Sequence, residues 1–112
     1  MTEIVLFKNA DHKLIGFECL GHSGFARRGK DIVCSAISVL TINTVNSLEK
    51  IAGADLEVRS DGHKGHLYCK LKSATSIQTD TLLEALEIGL IGVSDNYGSK
   101  YCKVTYKEEK QC

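Results

Sequence analysis

Residues 21–34 read GHSGFARRGKDIVC, and the fold turns on whether this run is a nucleotide cradle, a catalytic loop or a plain connection. Gly21, Gly24 and Gly29 divide it into turns. His22, Arg27, Arg28 and Lys30 bring cationic character, and Asp31 and Cys34 stand where a long apolar segment begins. The segment GFARRGKD, residues 24–31, follows the G-x-x-x-x-G-K pattern until its last position, where Asp31 replaces the Ser or Thr that would hold Mg²⁺. A carboxylate at that helix start also repels the phosphate it would have to welcome. The run is therefore not read as a nucleotide site, and no parallel nucleotide-binding sheet is expected around it.

Working outward, residues 3–7 (EIVLF) are apolar and β-branched, and in residues 14–20 Ile15, Phe17 and Cys19 share a face. Asn9-Ala10-Asp11-His12 between them reads as a hairpin turn. Downstream of the loop, Val33, Ile37, Leu40, Leu48 and Ile51 recur at helical spacing, with Asp31 placed to cap the helix and Gly53 to stop it. Leu56–Arg59 and Lys64–Leu71 read as strands around the turn Ser60-Asp61-Gly62. Leu83, Leu86, Leu90 and Val93 mark a second helix capped by Thr79 or Asp80 and stopping near Asp95–Gly98. A last strand, Tyr101–Lys107, puts Cys102, Val104 and Tyr106 on one side, and the tail KEEKQC is expected to fray. The order ββαββαβ implies an α+β two-layer sandwich of one largely antiparallel sheet and two helices, in a single domain spanning residues 1–112. Edge strands and a single covering layer make a homodimer the expected assembly.

Composition narrows the function. Lys and Arg number 14, Asp and Glu 14, so no overall charge argues for nucleic acid or a membrane surface. The start, MTEIVLFKNAD, lacks a cationic region before an apolar stretch, so no signal peptide is expected. No apolar run is expected to reach the ~20 residues of a membrane helix. Five cysteines without a C-x-x-C pair suggest reduced thiols and a cytoplasmic protein rather than a disulfide framework.

Among those cysteines, Cys19, Cys69 and Cys102 fall on apolar strand faces and Cys112 on the tail. Cys34 alone sits in the first turn of a helix beside a polar loop, where the helix dipole and unpaired amides favour a thiolate. His22 is close enough in sequence for the loop to fold its imidazole back as a base, and amides at the helix start are candidates to stabilise an oxyanion. The bland alternative is a small buried cysteine and a solvated histidine. The three glycines fit a connection that merely turns, or a loop mobile enough to gate a substrate. Asp61, His63, His66 and Cys69 are discounted as a metal cluster, because His63 and His66 should point to opposite sides and Cys69 toward the core. No cofactor is expected.

The run GHSGFARRGKDIVCSAIS resembles the signature of the ribosomal-processing cysteine protease (Prp) family, G-H-(A/S)-x-(F/Y)-x-x-x-G-x-D-I-V-C-(A/S)-A-x-S. Chain length and element order resemble that family throughout, while Ser35 and Ile37 give C-S-A-I where many members read C-A-A-V. The resemblance implies a homodimeric endopeptidase. It would remove a short N-terminal extension from the large-subunit ribosomal protein numbered twenty-seven, cutting after an aromatic residue. It further implies Cys34 as nucleophile and His22 as its proton-transfer partner. Asp31 is then helix cap or orienting acid, and Ser38 a neighbour one helical turn beyond Cys34. The second class of function is a ribosome-associated binding module that has kept the scaffold without turnover.

Overall fold

The computed structural model describes residues 1–27 and 29–110. Arg28 as a loop cation and Cys112 as a tail thiol therefore lie outside the described residues. The elements are β1 (Thr2–Lys8), β2 (Leu14–Leu20), α1 (Ile32–Lys50), β3 (Leu56–Asp61), β4 (His66–Leu71), α2 (Ile77–Tyr97) and β5 (Cys102–Glu108). The expected ββαββαβ order and the two-layer α+β sandwich are both present. The strands form one sheet in the order β3-β4-β2-β1-β5, antiparallel except where β5 runs parallel to β1.

Register explains why one sheet face is apolar. Ile4 opposes Cys19, which opposes Leu67, and Leu6 opposes Phe17, which opposes Cys69. Cross-strand partners share a face, so these rows form the floor on which the helices lie. Ile4, Leu6, Ile15, Phe17, Cys69 and Leu71 are all fully or almost fully buried. α1 adds Val33, Ile37, Val45 and Leu48, and α2 adds Leu83, Leu86, Leu90 and Val93. Each such side chain contributes on the order of 1.5–3 kcal/mol of transfer free energy. The helices meet where Leu40 packs on Gly89; a methyl at Gly89 would lie 3.1 Å from the Leu40 side chain.

Several boundaries differ from the sequence reading. α2 is capped by Ser76, whose Oγ accepts from the Thr79 amide while Thr79 Oγ accepts from the Ser76 amide. Thr79 is thus the third residue of a capping box and Asp80 lies inside the helix. The β3–β4 turn falls at residues 62–65, not 60–62, because β3 continues through Asp61. Ile51 is 63% exposed at the end of α1 and does not join the core stripe. Tyr106 is exposed, with its hydroxyl donating to Glu87 of α2.

α1 corrects the membrane argument too. With 19 residues and a mean hydropathy of 1.3, it is long and apolar enough by composition to cross a membrane. Its apolar content has another use here, since its inner stripe covers the sheet. The buried hydroxyls of Thr41 and Thr44 on that stripe donate to the carbonyls of Ile37 and Leu40, at 2.8 and 2.7 Å.

Candidate active site

The site forms where β2 gives way to α1. At Gly21 the backbone takes φ +94°, and a Cβ there would lie 2.7 Å from the Met1 carbonyl oxygen, so only glycine fits. The turn carries His22 to the β3–β4 hairpin. Its Nε2 lies 3.3 Å from the His63 carbonyl oxygen and its ring rests over Gly65. A methyl at Gly65 would stand 3.2 Å from the His22 ring and 2.6 Å from the Gly21 carbonyl oxygen, so glycine is required there as well. Gly24 and Gly29 also have positive φ, the left-handed region that favours glycine.

Beyond His22 the chain turns inward. Ser23 is buried, and its amide donates to Cys34 Sγ at 3.1 Å. Cys34 is half-buried in the first turn of α1. Cys34 and Ser38 of α1, His22, and Gly65 and Leu67 of the facing hairpin all line one cleft of about 380 Å³. Ile37 and Ile42 make its helical wall apolar. Among the described residues no hydrogen bond joins the imidazole to the thiol; the ring bonds to the His63 carbonyl and the sulfur to the Ser23 amide.

Asp31 is the helix cap. Oδ1 accepts from the Val33 and Cys34 amides, each at 3.0 Å, and Oδ2 from the Phe25 amide at 3.1 Å. Burial alone would raise its carboxyl, but hydrogen bonds from Cys34, Ala26 and Phe25 outweigh burial and hold it below the usual carboxylate value. Both oxygens accept from backbone amides, an arrangement that serves capping and loop closure, and the Cys34 side chain adds a hydrogen bond to the same carboxylate. The same bonds correct the oxyanion expectation. The Val33 and Cys34 amides are taken by the Asp31 side chain, and that of Ser35 by the Asp31 carbonyl.

Asp31→Asn keeps one acceptor oxygen and loses the other, so either the cap or the Phe25 bond goes. We expect a loss of about 1–2 kcal/mol of stability, with turnover retained within about tenfold if Asp31 serves only as cap. The sign of the pH dependence follows from the lowered carboxyl. Its stabilisation is complete above the ordinary value of 3.8 and is lost as pH falls below that through the folded-state value. Acid titration of thermal unfolding should therefore be flatter below 3.8 for Asp31→Asn than for wild type. Parallel curves would discard this account.

The other thiols are core groups. Burial, with lesser repulsion from nearby charge, pushes Cys19 and Cys69 up to about 12, and burial also raises Cys102. The discounted hairpin residues go separate ways. Asp61 Oδ1 accepts from the His63 amide within the turn, Cys69 is in the core, and His66 pairs with Glu18 at 2.6 Å. Among the described residues no group of three or more such side chains is placed to hold a metal.

Four residues enter the site without a role assigned from sequence: Thr2 and Ser23 beneath the loop, Gly65 under the His22 ring, and Phe25 as the loop's anchor. The Phe25 ring packs edge-on against Tyr97 and Tyr101, with centroids 5.6 and 5.1 Å away, tying the loop to the end of α2. Thr2 shares parity with the buried Ile4 and Leu6, and Ser23 and Phe25 stand at the (A/S) and (F/Y) positions of the signature, while Gly65 carried no signal.

A half-buried thiol at a helix start and an imidazole thus line one cleft of an α+β sandwich. The comparisons place it more narrowly. The family profile described as cysteine protease Prp matches residues 1–103. The ribosomal processing cysteine protease Prp of Bacillus subtilis (strain 168) is 26% identical over 93 residues, 81% of each chain. The essential ribosomal processing protease Prp from S. aureus, solved with a covalently linked product peptide, superposes with a TM-score of 0.89. It is 20% identical, with 96% of this chain and 100% of that chain covered. The same S. aureus protease with a substrate peptide gives a TM-score of 0.84 at 19% identity, over 96% and 100% of the two chains. The chain belongs to the cysteine protease Prp family.

Proposed function

We propose that this protein is a cytoplasmic, homodimeric cysteine endopeptidase. Its substrate is the precursor of the large-subunit ribosomal protein numbered twenty-seven, from which it removes an N-terminal extension during ribosome assembly. Cys34 is the nucleophile and His22 its proton-transfer partner. The observation that carries this reading is the half-buried Cys34 sulfur at the start of α1, held by the Ser23 amide at 3.1 Å in a cleft that His22 also lines. Family membership supports it, and the relatives solved with substrate and product peptides support a peptide as the occupant of the cleft.

In the reaction the His22 ring leaves the His63 carbonyl and accepts the thiol proton. Cys34 Sγ attacks the scissile carbonyl carbon, and His22 returns the proton to the departing amine. Water then hydrolyses the thioester and regenerates the thiol. The apolar wall at Ile37 and Ile42 suits an aromatic side chain just before the cut. Ser38, exposed one turn beyond Cys34, is available to the peptide backbone. No metal or cofactor takes part in this scheme.

The testing experiment incubates the protein with a peptide spanning the extension and the first mature residues of the host's own ribosomal protein, with cleavage read by mass. Cutting at a single bond supports the protease. A folded protein that cuts nothing returns the site to the second reading, a binding module, which the engagement of His22 with the His63 carbonyl favours.

The loop at residues 21–31 gates the cleft in this proposal, with Gly21, Gly24 and Gly29 as its turning points and Phe25 as its latch. Its amides should exchange faster in the free protein than with the peptide bound to Cys34→Ala. Equal protection in the two states would remove the gate from the mechanism.

A further inference from the structure

The loop that carries His22 is held from below by Met1 and by Thr2, the first residue of β1. Thr2 and Ser23 are buried, 3% and 2% exposed, and their hydroxyl oxygens are 3.0 Å apart. Thr2 Oγ1 donates to the Gly21 carbonyl at 3.2 Å. A hydroxyl has one proton, so with that proton committed to Gly21, the Thr2 oxygen accepts from the Ser23 hydroxyl. The resulting chain, Ser23 O–H to Thr2 O–H to Gly21 carbonyl, ties both neighbours of His22 to one side chain of β1. Between them, the His22 carbonyl accepts from the Met1 nitrogen at 2.9 Å. β1 is itself fixed on both sides, by β2 and β5, and the Thr2 amide donates to the Tyr101 carbonyl. The loop root is therefore fastened to an interior strand of the sheet.

This fastening reaches the sulfur directly. The residue whose side chain Thr2 holds is the residue whose amide donates to Cys34 Sγ at 3.1 Å. Asp31 has taken the amides of Val33 and Cys34, and among the described residues it is the Ser23 amide that donates to the sulfur. Its direction depends on the ψ of His22 and the φ of Ser23, and the hydroxyl chain clamps that span at both ends. A donor aimed at an anionic sulfur is worth more than one aimed at a neutral group, and its strength falls steeply as the angle opens.

We propose that Thr2 and Ser23 are positioning residues, whose buried hydroxyl pair aims the Ser23 amide at Cys34 and fixes the backbone from which His22 projects. This rests on the reading of Cys34 as the nucleophile. Both act through the loop.

The test compares Thr2→Val, Thr2→Ser and Ser23→Ala with the wild type. Valine keeps the volume of threonine and removes only the hydroxyl. Iodoacetamide labelling of Cys34, followed by peptide mass mapping across pH, reads the sulfur without any substrate; Asp31 bonds to Cys34, and His22, His66 and Cys19 are the titratable groups lining the same cleft. Thr2→Val should move the pH midpoint of labelling upward by about one unit. On the ribosomal-protein peptide it should lower kcat by roughly tenfold with KM unchanged. Thr2→Ser should restore both, and Ser23→Ala should shift both in the direction of Thr2→Val.

A labelling profile and kcat for Thr2→Val matching wild type would overturn the proposal, as would Thr2→Ser being as impaired as Thr2→Val. If Thr2→Val does not fold, Ser23→Ala decides alone, and a wild-type profile there overturns the proposal as well. Should no form cleave the peptide while the labelling shifts persist, the positioning role stands and the protease reading falls.

Discussion

Replacing Cys34 with alanine is expected to abolish peptide cleavage, lowering kcat by roughly 10⁴-fold or more, because in the proposed mechanism it removes the sulfur that forms the acyl intermediate. Cys19 borders the same cleft, but it is buried and its thiol is pushed up to about 12, so it cannot stand in. The fold should survive. Cys34 is only half-buried, and the cap at Asp31 holds the start of α1 through the Val33 and Cys34 amides, which the substitution leaves in place. His22→Ala should cost less, on the order of 10²–10⁴-fold, the usual contribution of a positioned acid–base group. Mass-detected single-turnover cleavage by each folded variant measures both effects. Cleavage by Cys34→Ala within tenfold of wild type would remove the sulfur from the reaction.

The largest effect on stability is expected far from the cleft, at Gly16 in the middle of β2. It pairs with Lys70 of β4, and a Cβ there would lie 2.3 Å from the Cys69 carbonyl oxygen and 2.8 Å from the Lys70 Cα. Both neighbours are backbone in a central strand, so no rotamer change can relieve the overlap. Gly16→Ala must push β2 and β4 apart, and with them the packing of Phe17 beside Cys69. An overlap of this kind costs about 3–5 kcal/mol, a large part of the 5–15 kcal/mol typical of a domain. The melting temperature should fall by roughly 10–20 °C. Gly92→Ala is the matched control. It lies within α2 with nothing inside 4 Å of the added methyl, so it should be neutral or slightly stabilising. A melting temperature for Gly16→Ala within about 3 °C of wild type, a shift of roughly 1 kcal/mol, would refute this reading of the strand contact.

Both predictions depend on contacts that the linear sequence carries very unequally. Local period and capping chemistry were legible. Val33, Ile37 and Leu48 announce the inner stripe of α1 by their spacing, and Asp31 announces its cap. Alternation in β2 and β4 marks Phe17, Cys19 and Cys69 as core, and thereby singles out Cys34 as a thiol of another kind. Ser76 was missed because several hydroxyl and acidic residues near the start of α2 satisfy the same capping rule, and only the observed first turn chooses among them. Ile51 was misread because the period continues one step past the point where the helix stops.

By itself, then, the sequence determined the elements, their apolar faces, the cap at Asp31 and the family signature around Cys34. All of these are properties of residues within a few positions of one another, where helix and strand geometry dictate who meets whom. Only the tertiary structure decided the sheet order, the parallel seating of β5 on β1, the clash waiting at Gly16, and the meeting of Thr2 with Ser23. It also set His22 on the His63 carbonyl, across a separation of 41 residues. These contacts join segments whose own periodicity holds no information about one another. They arise when apolar faces are buried together and each buried polar group must find the partner that packing brings within reach.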